Sequence, residues 1–310
     1  MWVSSPTVAP PVTAPPRWVP LVLLANLVCQ VGIIVTGGLV RVTASGLGCP
    51  TWPECVPGSF TPVAHQEEGI HKIIEFGNRL LTFVLVAVAL AAVVAVFKHV
   101  PRRHLKVSSI IVLLGVPIQA VIGGVVVLFH LHPVWVSLHF LASIVMSAAA
   151  AYLLATRDEP EGATAPVAPV LVRRLGWAAV GVASVVMGLG TIVTGAGPHS
   201  GDDTKPSRLA LDPRAMSWLH ADAVLVFAGL AIALVVATRL VDVPGRTRRA
   251  WTAVLHVTLT QGAVGYLQYA LGVPRGLVIV HMLLAALLAV ALTYAVVSLR
   301  TRESTPAAAP

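Results

Sequence analysis

The sequence predicts an all-α membrane protein whose eight transmembrane helices form two parallel-repeat four-helix bundles. Three observations carry this prediction: an apolar composition, eight segments long enough to cross a bilayer, and an internal repeat of polar residues. Of the 310 residues, 56% are hydrophobic and 11% are charged, and the mean hydropathy is +0.85. Because a soluble domain carries about 25% charged residues, this chain could not cover a water-facing surface.

The formal net charge of +8 does not indicate a nucleic-acid partner. The arginines and lysines lie mostly in short segments between apolar runs, where basic residues set the orientation of a membrane protein. We therefore expect no nucleic-acid binding.

Eight segments reach the length of about 20 apolar residues that a transmembrane helix needs. They lie at roughly 18–40, 69–97, 107–129, 134–156, 171–195, 214–238, 250–271 and 276–299. The first four belong to an N-terminal half, 18–156, and the last four to a C-terminal half, 171–300, with a linker at 157–170. The flanking segments 1–17 and 301–310 are expected to be disordered tails.

Basic residues predict the orientation of the chain. Most of them, including Arg102, Arg173 and Arg249, flank one set of loops and the two tails. The positive-inside rule therefore places both termini and the linker in the cytoplasm. Arginine outnumbers lysine 17 to 4, which is typical of a GC-rich bacterial genome, so we expect a bacterial plasma-membrane protein. The long loops 41–68 and 196–213 then face outward.

An offset of 142 residues relates polar positions in the two halves. It carries Asn78 onto His220, Gln119 onto Gln261 and His139 onto His281. The segment Ile-Val-Thr-Gly at 34–37 recurs at 192–195 with an offset of 158, because the first half has a longer outer loop. Each half contains four predicted spans, so both insert in the same direction and form a parallel repeat.

Four of the eleven histidines lie in the outer halves of even-numbered spans: His71, His139, His220 and His281. An ionisable residue inside a span is costly and often functional. Two inward imidazoles from one bundle can hold a haem iron from both sides. The alternative is that the four histidines only form hydrogen bonds between helices. We favour haem ligation for His139, His220 and His281, because the repeat relates His139 to His281 and places His220 at the position of Asn78.

His71 is not the repeat partner of His220, because that position in the first half is Asn78. His71 lies seven residues before Asn78, about 10 Å away along the helix axis. The first half could hold iron through His139 and His71, or through His139 alone with Asn78 beside an open position.

Glu75 distinguishes the first half from the second, where the matching position is Ser217. It lies one turn after His71 and three residues before Asn78, on the same helix face. The simpler interpretation is an ion pair with Arg79 four residues later. We favour a catalytic role, since a carboxylate in a span is costly without a purpose. The second half then resembles a six-coordinate electron carrier.

Cys49 and Cys55 flank a short turn in the first outer loop. Because the outer face is oxidising, a disulfide is plausible. The pair could be a structural staple or a redox-active site near the first bundle, and we favour the staple.

Several motifs resemble bacterial, actinobacterial-like members of the haem A synthase family. They are Thr-Gly-Gly-Leu-Val-Arg-Val-Thr-Ala-Ser-Gly-Leu-Gly-Cys-Pro at 36–50, Trp52-Pro53, Ile-Glu-Phe-Gly-Asn-Arg at 74–79, Gln119 with Gly123-Gly124, and the histidines of the fourth, sixth and eighth spans. The resemblance covers roughly residues 18 to 300. The loop motif and the glutamate motif are specific, whereas the histidines alone are not.

The resemblance implies an oxidoreductase that converts the C8 methyl of haem O to a formyl group, giving haem A for terminal oxidases. It implies a haem b cofactor between His220 and His281, and haem O as substrate near His139. His71, Asn78 and Arg79 would belong to that substrate site and Glu75 would be catalytic, with Cys49 and Cys55 as the family's loop pair. Implied partners are a haem O synthase, a membrane electron donor and the terminal oxidase assembly.

Two departures from the family pattern stand out. Many members carry histidine where this chain has Asn78, and some carry a second cysteine pair in the loop after the fifth span, which this chain lacks. Two other functions compete with haem A synthesis: a bis-histidine membrane cytochrome that only carries electrons, and, with less support, a transporter. The intramembrane Glu75 and the substitution at Asn78 argue against a symmetric cytochrome. Transporters usually have discontinuous helices at midplane, whereas the polar residues here cluster near the outer face and Pro117 is the only strong interruption in a predicted span.

Overall fold

The computed structural model describes residues 15–303, and most of them belong to eight long α-helices. The helices are α1 (Trp18–Val42), α2 (Ile70–His99), α3 (Arg103–Leu128), α4 (Pro133–Ala155), α5 (Val170–Ala196), α6 (Pro213–Leu240), α7 (Gly245–Ala270) and α8 (Arg275–Val297). Two short strands, β1 (Thr164–Pro166) and β2 (Arg300–Arg302), pair antiparallel. The predicted segments agree with these helices to within a few residues.

Seven of the eight helices are long and apolar enough to cross a membrane, so this is a multi-pass membrane protein. The shortest have 23 residues, which at 1.5 Å per residue exceed the roughly 30 Å hydrocarbon core. The prediction of eight spans is not met by α7. This helix begins with Arg246, Arg248 and Arg249 and carries His256 and Gln261, which lower its mean hydropathy.

The helices pack as two rings of four. In the first, α1 contacts α2 and α4, and α3 contacts the same two helices; in the second, α5 contacts α6 and α8, and α7 contacts those two. Consequently α2 lies diagonally opposite α4, and α6 lies diagonally opposite α8. The rings join where α4 contacts α5 and α8, and where α1 contacts α8.

Each ring has its own buried core, because every helix turns one apolar stripe inward and another toward lipid. Leu85 and Val112 belong to the first core, and Phe227 and Trp251 to the second. A small third cluster, which includes Ile34, Ile144, Ala286 and Ala289, lies between the rings. Many large apolar side chains outside these cores are exposed, as expected for a surface that faces lipid.

The two strands join the linker to the end of α8, with Thr164 opposite Arg302 and Pro166 opposite Arg300. Glu159 stabilises this contact through ion pairs with Arg300 and Arg302 at 2.8 and 3.1 Å. The predicted tail 301–310 therefore begins with two residues of a strand. Residues 304–310 of that tail, and residues 1–14 of the predicted tail 1–17, lie outside the described part of the chain.

Candidate haem and carboxylate site

Three histidines lie at the same depth near one end of the two rings. His139, His220 and His281 follow the first residues of α4, α6 and α8 by six or seven positions. At 1.5 Å per residue this places all three about 10 Å from the helix start. These helices start at the end of the bundle opposite the one where α1 begins.

A glycine faces each of these three imidazoles. A methyl group added at Gly123, Gly190 or Gly265 would lie 3.3, 3.2 or 3.2 Å from Cε1 of His139, His220 or His281, respectively. Contacts this short require the neighbouring group to shift. The absence of a side chain at each glycine therefore allows the imidazole to pack directly against the adjacent helix backbone.

The glutamines of the repeat make the same contact in both rings. The Gln119 amide donates to the His139 carbonyl at 3.3 Å, and the Gln261 amide donates to the His281 carbonyl at 3.1 Å. Gln119 also donates to the Ser143 hydroxyl at 2.6 Å. These contacts hold the backbone that carries each histidine against the preceding helix.

The three imidazoles themselves have no hydrogen-bond partner for their buried Nδ1 atoms among the described residues. Residues 15–303 contain no cluster of three His, Cys, Asp or Glu side chains that could hold a bare metal ion. Haem needs only one or two axial protein ligands, so imidazoles on diagonal helices, flanked by glycine, fit that group.

Asn78 occupies the first-ring position that corresponds to His220. Its Oδ1 accepts a hydrogen bond from the Thr36 hydroxyl of α1 at 2.7 Å. The amide is therefore held against α1 rather than left free within the ring. His139 is the histidine of the first ring that lies at the same depth as His220 and His281.

His71 lies at the start of α2, where its Nδ1 is 2.9 Å from the Ser45 hydroxyl. Ser45 is fully buried in the loop that follows α1. A side chain at Gly48 would collide with the His71 carbonyl, so the loop backbone lies directly against the first turn of α2. These contacts place the His71 ring against the outer loop.

Glu75 is buried, with 5% of its surface exposed, and both of its oxygens are bound. Oε1 accepts from Nη2 and Nε of Arg79 at 2.7 and 3.1 Å, and Oε2 accepts from the Cys49 backbone N–H at 2.6 Å. Glu75 therefore forms the ion pair with Arg79 that was the simpler of the two interpretations of this residue. A carboxylate has about four acceptor positions, so three bonds leave one available.

Arg79 connects Glu75 to the loop that contains the cysteines. Its Nη2 donates to the carbonyls of Cys49 and Thr51 at 2.8 and 3.0 Å, and its Nη1 donates to the Glu54 carbonyl at 3.3 Å. One guanidinium thus binds three carbonyls of the loop and the carboxylate together. Arg79 fixes the loop and Glu75 relative to each other.

Cys49 and Cys55 form a disulfide, and both are fully buried. Between them, Trp52 packs its ring onto Gly124 of α3, where a side chain would collide with it. Gly124 is next to Gly123, which faces His139. The loop therefore covers the first ring on the side that carries the histidines.

Sequence reasoning named the histidines, Glu75, Arg79 and the cysteines, but missed the residues that hold them. Thr36, Ser45 and Trp52 were not identified as site residues, although Thr36 and Ser45 lie within the loop motif and Trp52 lies just after it. The pair Gly123-Gly124 is visible in the sequence, but spacing alone does not show which of the two glycines faces His139.

The comparison with protein families gives a match over most of the chain. A family model described as COX15-CtaA, cytochrome oxidase assembly protein, matches residues 20–293. This match spans all eight helices except the ends of α1 and α8.

Individual relatives match over shorter stretches. A heme A synthase of Bacillus pumilus is 36% identical over 138 residues, which are 41% of this chain and 42% of that protein. A heme A synthase of Geobacillus kaustophilus is 32% identical over 101 residues, 32% of this chain and 30% of that protein. One of Listeria welshimeri is 31% identical over 122 residues, 39% of each protein. The chain thus spans less than half the length of these curated relatives. The family match, which covers most of its residues, shows that the chain belongs to the COX15-CtaA family of cytochrome oxidase assembly proteins.

Proposed function

We propose that this protein is a haem A synthase, an oxidoreductase that converts the C8 methyl of haem O into the formyl group of haem A. The main support is the combination of three imidazoles at one depth with a buried carboxylate in only one of the two rings. Relatives named heme A synthase add to that support. The alternative of a membrane cytochrome accounts for the imidazoles but gives no role to Glu75.

The second ring would hold a resident haem b through His220 and His281. The diagonal helices α6 and α8 supply one imidazole each, at matching depth. Gly190 and Gly265 let these two imidazoles pack closely against the neighbouring helices. An imidazole from each of two helices would leave no free position for a substrate, which favours electron transfer over chemistry at the iron. His220 and His281 would thus hold the haem as an electron carrier between a membrane electron donor and the first ring.

The first ring would bind haem O as its substrate, next to His139. With Asn78 bound to Thr36, a haem ligated by His139 has no histidine from the matching position of α2. His71 remains a candidate second ligand, although its Nδ1 faces Ser45 and only Nε2 would be available. Asn78 and Arg79 would line the same side of the substrate.

The reaction replaces two hydrogens of an unactivated methyl by one oxygen, through two successive oxidations and the loss of water from a gem-diol. Haem supplies the difficult redox chemistry, while the protein supplies position and charge. Glu75 would stabilise positive charge on the methyl carbon or accept a proton from it. Its bonds to Arg79 and Cys49 hold the carboxylate in one position, so that little reorganisation accompanies the reaction.

We further propose that all eight helices cross the membrane as a duplicated four-helix unit, with both termini in the cytoplasm. The packing of α7 between α6 and α8 matches that of α3 between α2 and α4. Arg246, Arg248 and Arg249 all lie within the first five residues of α7, where basic residues flank the cytoplasmic end of a span. A haem O synthase would supply the substrate of this enzyme, and the terminal oxidase assembly would use its product.

Co-expression with a source of haem O tests the proposal directly. Extracted haems are separated by chromatography and identified by mass. New haem A is the expected result. Unchanged haem O together with a b-type absorption spectrum would instead favour the electron-carrying cytochrome.

A further inference from the structure

A groove runs along the junction of the two rings, between α4, α5 and α8. Its volume is about 960 Å³, and it extends from β1 and β2 to Met187 in α5. From Arg173 to Met187 the α5 backbone advances about 21 Å at 1.5 Å per residue. The groove lies at the end of the bundle away from the three histidines, and no histidine or cysteine lines it.

Most of the groove is apolar and open toward the lipid. Val145 and Trp177 on its edges are 65% and 63% exposed, while Ala183 and Ala289 on its floor are buried. Small residues at the floor leave a channel that the protein does not fill with its own side chains. A hydrocarbon chain is the ligand that such a surface accepts in a bilayer.

The end of the groove next to the strands is basic. Arg300 and Arg302 share one carboxylate oxygen, Oε2 of Glu159. Arg173 and Arg174 form no ion pair with the described residues. The Nε atom of Arg173 is buried without a hydrogen-bond partner within residues 15–303. Two guanidinium groups therefore remain available for an anion.

We propose that this groove binds an anionic phospholipid, with an acyl chain along α5 and the phosphate beside Arg173 and Arg174. The ligand matches both halves of the groove, since it joins a long apolar chain to a negatively charged head. Basic pockets between transmembrane helices are recurrent sites for such headgroups. The bound lipid would fill the junction between the two rings.

Brominated lipids test the proposal, because bromine quenches tryptophan fluorescence at contact distance. The protein is placed in phosphatidylcholine nanodiscs with a small fixed fraction of brominated phosphatidylglycerol or, separately, brominated phosphatidylcholine. The Trp177 signal is obtained by subtracting the quenching of a Trp177→Phe variant. We expect the anionic lipid to quench Trp177 strongly at fractions where the zwitterionic lipid does not.

Substitutions then identify the headgroup contact. The Arg173→Gln/Arg174→Gln double variant should lose roughly 25-fold in relative affinity for phosphatidylglycerol, about fivefold per basic residue. Arg173→Lys/Arg174→Lys keeps the charge and should retain most of the preference. Arg239→Gln/Arg249→Gln removes two exposed arginines from the same end of the bundle, outside the groove, and should leave the preference unchanged.

Three results would overturn the proposal. One is equal quenching of Trp177 by the two lipids. Another is an equal loss of preference in the Arg239→Gln/Arg249→Gln control, which would show a general surface charge effect. The third is displacement of brominated phosphatidylglycerol by stoichiometric ferric haem, which would make the groove a porphyrin site.

Discussion

The two rings share a framework but differ in what they place around it. Both hold a histidine by a glutamine amide and a facing glycine, at His139 with Gly123 and at His281 with Gly265. The second ring adds His220 on the diagonal helix, whereas the first has Asn78 bound to Thr36. Under the proposed function, this single exchange separates a closed electron carrier from an open substrate site.

The outer loops differ even more than the rings. In the first half the loop is stapled by a disulfide and bound by Arg79, and its Trp52 covers α3. The second half has a shorter loop, in which His199 bonds to the Val273 carbonyl at 2.9 Å. Under the proposed function, the chemistry of the first half would depend on its longer outer loop and on the buried carboxylate of Glu75.

The largest expected effect comes from Glu75→Gln. The amide keeps an acceptor for Arg79 but removes the negative charge, so we expect haem A formation to fall by about 100-fold or more. The haem b spectrum should not change, because His220 and His281 are untouched. Haems are extracted from the purified protein and identified by mass.

Ser217→Ala is the matched control for this variant, because Ser217 occupies the corresponding position of the second ring. It should leave the haem A yield unchanged. A normal yield from Glu75→Gln would remove the catalytic role and leave Glu75 as a structural partner of Arg79.

A Cys49→Ser/Cys55→Ser variant is expected to have the next largest effect. Closing so short a loop stabilises the folded state by about 2 kcal/mol in the chain-entropy model. Since the Cys49 N–H binds Glu75, a looser loop should lower haem A yield by up to roughly 30-fold, without affecting the second ring. Complete loss of haem A with an unchanged melting temperature would instead indicate that the pair is redox-active.

The next variants exchange the residues at the position where the first ring has Asn78 and the second has His220. Asn78→His should give the first ring two imidazoles at one depth and produce a low-spin six-coordinate spectrum when haem O is supplied. We expect the haem A yield to fall about tenfold, because the open position is filled. The reciprocal variant, His220→Asn, should remove the low-spin signal of haem b.

An unchanged spectrum in Asn78→His would contradict the proposed match between the two positions. It would also direct attention to His71 as the ligand already present. A His71→Ala variant separates these outcomes, since it alters the substrate spectrum only where His71 binds iron.

The sequence predicted the parts of this structure that follow from periodic or repeated signals. Apolar length identified seven spans because lipid demands a continuous run of such residues, whereas α7 carries Arg246, Arg248, Arg249 and His256 at exposed positions and is less apolar than the other seven. The repeat located His139, His220 and His281 at one depth. Both signals are visible in the order of the residues alone, without knowledge of how distant segments meet.

The contacts that form when the outer loop folds back onto the helices could not be predicted from the sequence. The hydrogen bonds from Arg79 to Cys49 and from Thr36 to Asn78 join residues 30 and 42 positions apart. The strand at Arg300–Arg302 was also missed, because three residues carry no clear alternation and Glu159 stabilises them from a distant segment. For Glu75 we favoured a catalytic role over an ion pair with Arg79; the structure contains that ion pair, together with a hydrogen bond from the Cys49 N–H of the loop that the sequence did not predict.

The smallest expected effect concerns the glycines that face the imidazoles. Gly265→Ala places a methyl group 3.2 Å from His281 Cε1, so the ring must shift, whereas Gly262→Ala on the same helix meets nothing within 4 Å. Both variants gain up to about 1 kcal/mol of helix propensity. Only Gly265→Ala also incurs overpacking of about 1–3 kcal/mol. Relative to Gly262→Ala, it should melt a few degrees lower and shift the haem b spectrum.

Gly123→Ala should have an equal effect on the first ring, since its methyl would lie 3.3 Å from His139. Unequal effects would mean that the two histidines are held differently, despite their matching contacts.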